Sequence, residues 1–465
     1  MKTCLRICQE DYSAIRSHLL PEDGLEAIAL ALCGRAQAAG RLVFTVHKIL
    51  TIPYERCIRE DRYLHWQTED VFPLMNEAMN KHMAIMRIHS HPGGWPHFSV
   101  ADLETDKEFF GSLMTGWCED GLPHLSAIML PEGRIIGRVY YAGGRARELD
   151  SALVVGEKIE SVSLEEDDVP DGAPPEEALR NIQAFGEGTY KMFKNLRIGI
   201  VGCSGTGCHI IEQLIRLQVG ELVLVDPDKI EAKNLNRLVG TGRRDIGKSK
   251  VYFYKNYVEG KRLGVRVAAF PSNLFQSEEA RMALSTCDIL FGCVDSASGR
   301  MLMNTLSTFF LIPYFDMGVA LDADGVGGVS YVGAQIDYLI PGQSSLMSRG
   351  IAKQTDIDAE LKKLFDPSGY EQLKKEHYIK NIQVDRPAVI SVNGLIAYHA
   401  VMALIDRLIG YRIEPPYGSA TMLLHIDGSI LQPEEKFTRD AYLAKYKGRG
   451  DCSPYLNMPY LSDVR

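Results

Sequence analysis

The sequence predicts an α/β protein built as two successive units. A small α/β domain is expected over residues 1–150 and a larger domain with a mostly parallel sheet over residues 179–425. Three observations carry this. Residues 197–226 read as strand, glycine turn, helix, strand and acid; strands alternate with helical stretches downstream of that turn; and an acidic, proline-bearing segment separates the halves. The remaining residues, 426–465, read as a charged tail with short apolar pieces and no assigned role.

In the first unit, the apolar run over 25–38 predicts a helix with Glu26 near its start, and 41–50 alternates like a strand. A strand over 61–67, a helix over 69–81 and a buried strand over 83–88 follow, the last leading to His89. Another helix starts at Val100. Hairpin strands over 124–130 and 134–141 then flank the turn Pro131-Glu132-Gly133. Residues 151–178 read as a linker: Glu165, Glu166, Asp167, Asp168, Asp171, Glu176 and Glu177 lie among Pro170, Pro174 and Pro175, and such a segment repels itself and buries little.

In the second unit, Ile198, Ile200 and Val201 enter a turn containing Gly202, Gly205 and Gly207. Ile210, Ile211, Leu214 and Ile215 then recur at helical spacing, and a second strand over 222–225 ends in Asp226. The glycines allow a tight turn and close backbone approach, so phosphates can sit on the amides of the helix N-terminus while the acid binds ribose hydroxyls. This Rossmann-like pattern points to a nucleotide, and a plain NAD-binding dehydrogenase would use the same elements.

Composition narrows the partners. A formal charge of −9 over 465 residues argues against non-specific nucleic-acid binding. No run reads as long enough to span a membrane, and the first ten residues lack the apolar core of a signal peptide, so a cytoplasmic location is expected. Ten cysteines without a C-x-x-C pair give neither a disulfide framework nor a four-cysteine zinc knuckle.

The most specific signal is His89-Ser90-His91-Pro92 followed by Ser99 and Asp102. Alternate residues at a strand end project to one side, so two imidazoles can face one ion, and Asp102 in the first turn of the next helix adds an oxygen. Two nitrogens and one oxygen leave a fourth tetrahedral position for water. The spacing H-x-H, seven residues, S, two residues, D resembles the JAMM (JAB/MPN) metalloprotease family. The resemblance implies that His89, His91 and Asp102 bind zinc, that Ser99 helps stabilise the oxyanion, and that Glu26, with Glu22 as alternative, is the general acid/base.

Four further landmarks follow the glycine turn: Asp226-Pro227-Asp228, Asn234-Leu235-Asn236-Arg237, Gly247-Lys248-Ser249-Lys250 and Cys293-Val294-Asp295. Phosphoryl transfer needs cations for the phosphates and a carboxylate for magnesium, and Arg237, Lys250 and Asp295 supply those types. The ordered set, with Arg180 upstream and Pro387 to Asn393 downstream, resembles the ThiF/MoeB/HesA family, whose fold ubiquitin-activating enzymes share. The resemblance implies that Gly202, Gly205 and Gly207 line ATP, Asp226 holds the ribose, and Asn236, Arg237 and Lys250 reach the phosphates. It also implies that Asp295 positions Mg2+ and that Arg180 reaches the partner's site in a homodimer. Ser204 replaces a usual glycine, Leu238 a frequent glutamine, and Ser345 stands where relatives carry a zinc-binding cysteine. No cysteine lies between Cys293 and Cys452, which weighs against a thioester step.

Together the two resemblances imply an enzyme that cleaves an isopeptide or C-terminal bond of a ubiquitin-like protein and activates such a C-terminus as an acyl adenylate. A ubiquitin-conjugating-like transfer enzyme would be a further partner, and the setting would be a bacterial ubiquitin-like conjugation or antiviral-defence system. Activation of a sulfur carrier and a scaffold without turnover are the alternatives.

Overall fold

The apolar run near residue 30 is a strand, not a helix. In the computed structural model, which describes residues 1–60, 63–163, 174–324, 326–375, 389–411, 421–424, 429–431 and 437–462, it is the long central strand of a nine-stranded sheet. Its side chains alternate in size. Ile28, Leu30 and Leu32 join one buried cluster, while Ala29, Ala31 and Cys33 join another. A strand buried on both faces reads as a continuous apolar run, which is why the helical reading failed.

The first unit comprises Met1–Pro170, Thr308–Leu311 and Lys445–Ser462. Its elements are β1 (Lys2–Cys8), α1 (Gln9–Leu19), β2 (Ile28–Ala38), β3 (Arg41–Thr51), β4 (Cys57–Glu60), β5 (Tyr63–Trp66), α2 (Phe72–Lys81), β6 (Ala84–Ser90), α3 (Val100–Gly116), β7 (His124–Met129), β8 (Ile135–Tyr141), β9 (Arg145–Glu148), β10 (Ser151–Val155) and β11 (Ile159–Ser161). The sheet order is β11-β10-β1-β3-β2-β6-β7-β8-β9, with β4 and β5 pairing separately. Ile15 and Leu19 of α1 pack on one face, and Leu74 and Met75 of α2 with Phe110 and Leu113 of α3 pack on the other.

Two expected boundaries move. The linker does not begin at 151, because Ser151–Val155 pairs in parallel with β1 and Ile159–Ser161 pairs with β10; residues 164–173 of that segment lie outside the described residues. The C-terminal segment is also not a free tail. Gly34 N donates to Gly448 O (3.2 Å), Asp451 N to Arg35 O (2.8 Å) and Thr45 Oγ1 to Gly448 O (2.9 Å). The backbones meet so closely that a Cβ on Gly34 would stand 2.4 Å from the Arg449 carbonyl carbon, and one on Gly448 would stand 2.1 Å from Val46 O.

The second unit comprises Asp171–Ser307, Ile312–Ala444 and Asp463–Arg465. It contains α4 (Leu179–Phe185), α5 (Glu187–Asn195), β12 (Arg197–Val201), α6 (Gly205–Arg216), β13 (Glu221–Val225), α7 (Lys250–Lys261), β14 (Arg266–Phe270), α8 (Glu278–Ser285), β15 (Ile289–Gly292), α9 (Ala297–Phe310, whose residues from Thr308 on count with the first unit), β16 (Tyr314–Ala323), β17 (Val329–Leu339), α10 (Gln354–Phe365), α11 (Pro367–Lys375), α12 (Ile390–Ile409), β18 (Thr421–Leu424) and β19 (Ile430–Leu431). The order is β14-β13-β12-β15-β16-β17-β18-β19. Strands β14 to β16 are parallel and β17 to β19 antiparallel. From β12 the chain moves first to one side and then returns to the other, so a crevice opens between β12 and β15 at their C-terminal ends. Contrary to the sequence expectation, Ile390–Ile409 is long and apolar enough to cross a membrane. More than half of its most apolar stretch is buried.

Candidate functional site

In the first unit, β6 delivers His89 and His91 to one side. The backbone continues its pairing past the strand end, with His91 N bonded to Met129 O (2.9 Å), and turns at Gly94, whose N bonds to His91 O (2.9 Å). Ser99 caps α3 in a reciprocal box: its Oγ accepts from Asp102 N (3.1 Å), and its own N donates to Asp102 Oδ2 (2.7 Å). Asp102 is thereby held in the first turn, with Oδ1 3.1 Å from His89 Nε2 and Oδ2 3.5 Å from His91 Nε2. The two Nε2 atoms are 3.2 Å apart.

This trio is the cluster of metal-capable side chains among the described residues, its ligand atoms all within 4.8 Å of one another. Its chemistry fits a zinc ion. His91 Nδ1 is hydrogen-bonded to Trp95 O (2.9 Å), which turns the Nε2 lone pair toward Asp102 and His89. Burial lowers the His89 pKa, opposed by its hydrogen bond to Asp102. For His91, burial is outweighed by Asp102, the Trp95 carbonyl and Glu26, and the pKa is raised. Burial of Asp102 is likewise outweighed by the two imidazoles, which hold its carboxyl far below the usual range.

Glu26 does not start a helix. It lies in the extended segment before β2, where Arg59 Nε donates to its carbonyl (2.8 Å) and Ala27 N donates to Ser90 Oγ (3.0 Å). Its charge acts on His91, whereas Glu22 is exposed.

In the second unit, β12 runs into the glycine turn with Gly202 at φ +91°, where a Cβ would stand 2.4 Å from Cys293 O. A Cβ on Gly207 would lie 1.9 Å from Gly202 O, so the turn closes only without side chains. Ser204, the residue in place of a usual glycine, has φ −96° and makes no side-chain cap on α6. Its φ is negative, outside the left-handed region that favours glycine, so the departure does not force a positive-φ strain. Asp226 is buried and braces the turn, accepting from Cys203 N (2.7 Å) and Asp228 N (2.8 Å). Burial raises its pKa, opposed by Lys250. Lys250 Nζ lies 2.7 Å from Asp228 Oδ2 and 3.9 Å from Asp226 Oδ1.

Arg237 donates to Lys233 O (2.9 Å) and to Asn236 Oδ1 (3.0 Å), and Asn236 and Asp295 are exposed. Arg180 is exposed on α4 and bonded to Gln183. Its neighbour Asn181 is tied to Arg216, the last residue of α6, about 18 Å of helix away from the glycine turn. The structure therefore does not bring Arg180 to the crevice of its own chain.

Two neighbours of the crevice were not singled out as site residues. Asn393, in the first turn of α12, packs over the turn so closely that a Cβ on Gly205 would stand 2.1 Å from its Nδ2 and 3.1 Å from Arg237 Cδ. A buried asparagine in the first turn of a largely apolar helix was the available signal. Asp316 is fully buried on β16 opposite Gly292, paired with Arg300 (Nε to Oδ1, 3.0 Å) and Tyr314 OH (2.6 Å). An acid inside an apolar strand was its mark. Ser345 is buried, with its hydroxyl on Asp440 Oδ2 (2.6 Å), and no metal-capable trio forms around it among the described residues.

The sequence model of the ThiF family matches residues 178–438, more than half of the chain. The chain belongs to the ThiF family. This sets aside the plain NAD-binding dehydrogenase. Curated relatives of the ThiF-family domain include an adenylyltransferase and sulfurtransferase MOCS3 of Caenorhabditis briggsae, 32% identical over 33% of this chain and 37% of its own. A ubiquitin-like modifier-activating enzyme 5 of Aedes aegypti is 27% identical over 41% and 47%, and a SUMO-activating enzyme subunit 2 of Dictyostelium discoideum is 27% identical over 30% and 21%. The chain thus spans between about a fifth and a half of these relatives' lengths. Among solved structures, E. coli MccB with MccA-N7isoASN aligns with 58% of this chain and 74% of its own at 19% identity and a TM-score of 0.45.

Proposed function

We propose that the ThiF-family domain adenylates the C-terminal carboxylate of a ubiquitin-like protein or peptide. The observation that supports this reading is the family match over a glycine turn that follows β12, with Arg237 against the turn at Gly205, Lys250 beside Asp226, and Asp295 shortly after the end of β15. In the reaction a carboxylate oxygen attacks the α-phosphorus of ATP, and pyrophosphate leaves with the bonding pair. Lys250 and Arg237 offset the phosphate charge and the turn amides receive phosphate oxygens. Asp295 would hold Mg2+, which offsets charge on the leaving group when bound.

The first unit supplies the second half of the proposal, a JAMM-type zinc hydrolase that cleaves an isopeptide or C-terminal bond of the same modifier. His89, His91 and Asp102 would hold zinc, which supplies a bound water of lowered pKa. Glu26 would carry the proton on its carboxylate, and the Ser99 hydroxyl would donate toward the oxyanion. A cytoplasmic homodimer, with a ubiquitin-conjugating-like transfer enzyme as a further partner and a place in a bacterial conjugation or antiviral-defence system, belongs to this reading. The MOCS3 relative's printed name favours a second reading, sulfur-carrier activation, against which Ser345 stands.

The test is a pull-down of purified His91→Ala protein from its native lysate with ATP and magnesium, with intact-mass analysis of what is captured. A small protein carrying AMP at its C-terminus is expected. Capture of nucleotide alone, or of a polypeptide without AMP, would refute activation. Metal analysis of wild type, with one zinc per chain expected and none in His91→Ala, tests the hydrolase half separately.

A further inference from the structure

The capping box that orients Asp102 lies entirely on α3 and its own N-cap, so it cannot set where α3 sits on the sheet. Something else must. One turn beyond Asp102, on the same face of the helix, Asp106 is fully buried, with Oδ1 accepting from Arg87 Nη1 (2.7 Å) and Oδ2 from Tyr140 OH (3.1 Å). Arg87 stands two residues before His89 on β6, hence on the same side of the strand, and Tyr140 is on β8. One carboxylate therefore ties the helix bearing the oxygen ligand to the strand bearing the nitrogen ligands and to a second strand.

We infer that the Arg87–Asp106–Tyr140 clamp fixes the register of α3 and so sets Asp102 against His89 and His91. The three are positioning residues of the metal site, and the inference rests on reading that trio as a zinc site. A slip of α3 by one residue would swing Asp102 about 100° around the helix, removing it from the trio. Stability does not account for the clamp. A buried ion pair can usually be replaced by apolar side chains without loss, and here Arg87 Nε is buried with no hydrogen-bond partner among the described residues. The packing of Phe110 and Leu113 already supplies apolar adhesion for α3. What the apolar contacts lack is direction, which the two-pronged carboxylate provides.

Zinc affinity, measured on the metal-free full-length protein by competition with a chromophoric chelator, tests this without any substrate. Co2+ absorption bands report ligand geometry alongside. Asp106→Asn should weaken zinc about 10- to 100-fold and alter the Co2+ bands. Tyr140→Phe, which removes one neutral donor, should weaken it about fivefold. The double replacement Arg87→Met/Asp106→Leu removes the clamp without stranding a charge, and should lose zinc affinity while the metal-free protein keeps its melting temperature. Wild-type affinity and Co2+ bands in variants that melt like wild type would overturn the clamp. If the wild type itself bound no zinc, or bound it equally with His91→Ala, the metal assignment would fall first and the clamp with it.

Discussion

The metal trio and the nucleotide crevice are built on opposite electrostatic plans. In the trio, two imidazole nitrogens face each other at 3.2 Å with one carboxylate against both, so donor atoms converge with no permanent cation among them. In the crevice the cations are already quenched: Lys250 lies between Asp226 and Asp228, and Arg237 is spent on a carbonyl and an amide oxygen. The first site already has its candidate ligand atoms within reach of one another. The second must exchange internal partners for phosphates. A metal site tolerates little movement of its ligands, whereas a nucleotide site can bind by substituting one anion for another.

The largest effect expected from this contrast is a clean separation of the two chemistries. His91→Ala should abolish bound zinc and lower hydrolysis by about 10³-fold or more, since the ion supplies several kcal/mol of charge stabilisation; ATP-dependent adenylate formation by the same variant should persist. Loss of both would break the comparison. In the reverse direction, Arg237→Ala should lower adenylation by about 10²- to 10³-fold while zinc content stays at wild-type level. Pyrophosphate release and metal analysis on one preparation read both.

A third expectation concerns the closed-off first unit. Gly448→Ala puts a Cβ 2.1 Å from Val46 O at a residue with φ +67°, and should destabilise that unit by about 1–3 kcal/mol. Protease cleavage within 445–462 should rise while nucleotide binding is unchanged. His124 adds a pH dependence. It is buried, accepts a hydrogen bond from Ile85 N (3.0 Å), and burial, with Arg35 adding to it, pushes its pKa down to about 3. Between that value and the ordinary histidine range near 6.5 the unfolded chain binds more protons, so stability rises with pH through this window and is lost on acidification. Melting curves of His124→Gln should be flatter there. The smallest effect is expected of Ser204→Gly, within about 1 kcal/mol, because the Ser204 side chain makes no capping hydrogen bond on α6. An effect on nucleotide affinity much beyond that would mean the hydroxyl itself serves the crevice.

Legibility in the sequence followed locality. His89, His91, Ser99 and Asp102 lie within one strand, one loop and one helix turn, so their spacing alone forecast the trio that the fold assembles. The glycine turn and Asp226 were legible for the same reason, being one strand–helix–strand unit. The place of Asp316 beside Gly292 was not, because it depends on the pairing register of β15 and β16, and Asn393, although within a recognised landmark, reaches the glycine turn only through helix packing. The stretch at 25–38 failed differently. Its period-two alternation of alanine with isoleucine and leucine was present, but a run apolar on both faces hides strand from helix, and Glu26 was assigned the wrong local structure with it. The segment over 445–462 carried too little apolar periodicity to announce that its glycines would dock on β2 and β3.

That last docking has a consequence for how the chain is made. Domains generally fold in order of synthesis, the N-terminal one first. Here the sheet begun by Lys2 receives its final backbone partners from Gly448 and Asp451, more than four hundred residues later. The first unit's sheet is thus completed only once residues 445–462 have been added. Until then Gly34 N lacks the Gly448 carbonyl it bonds in the finished unit, and a chain stopped before residue 445 would leave that seam uncovered.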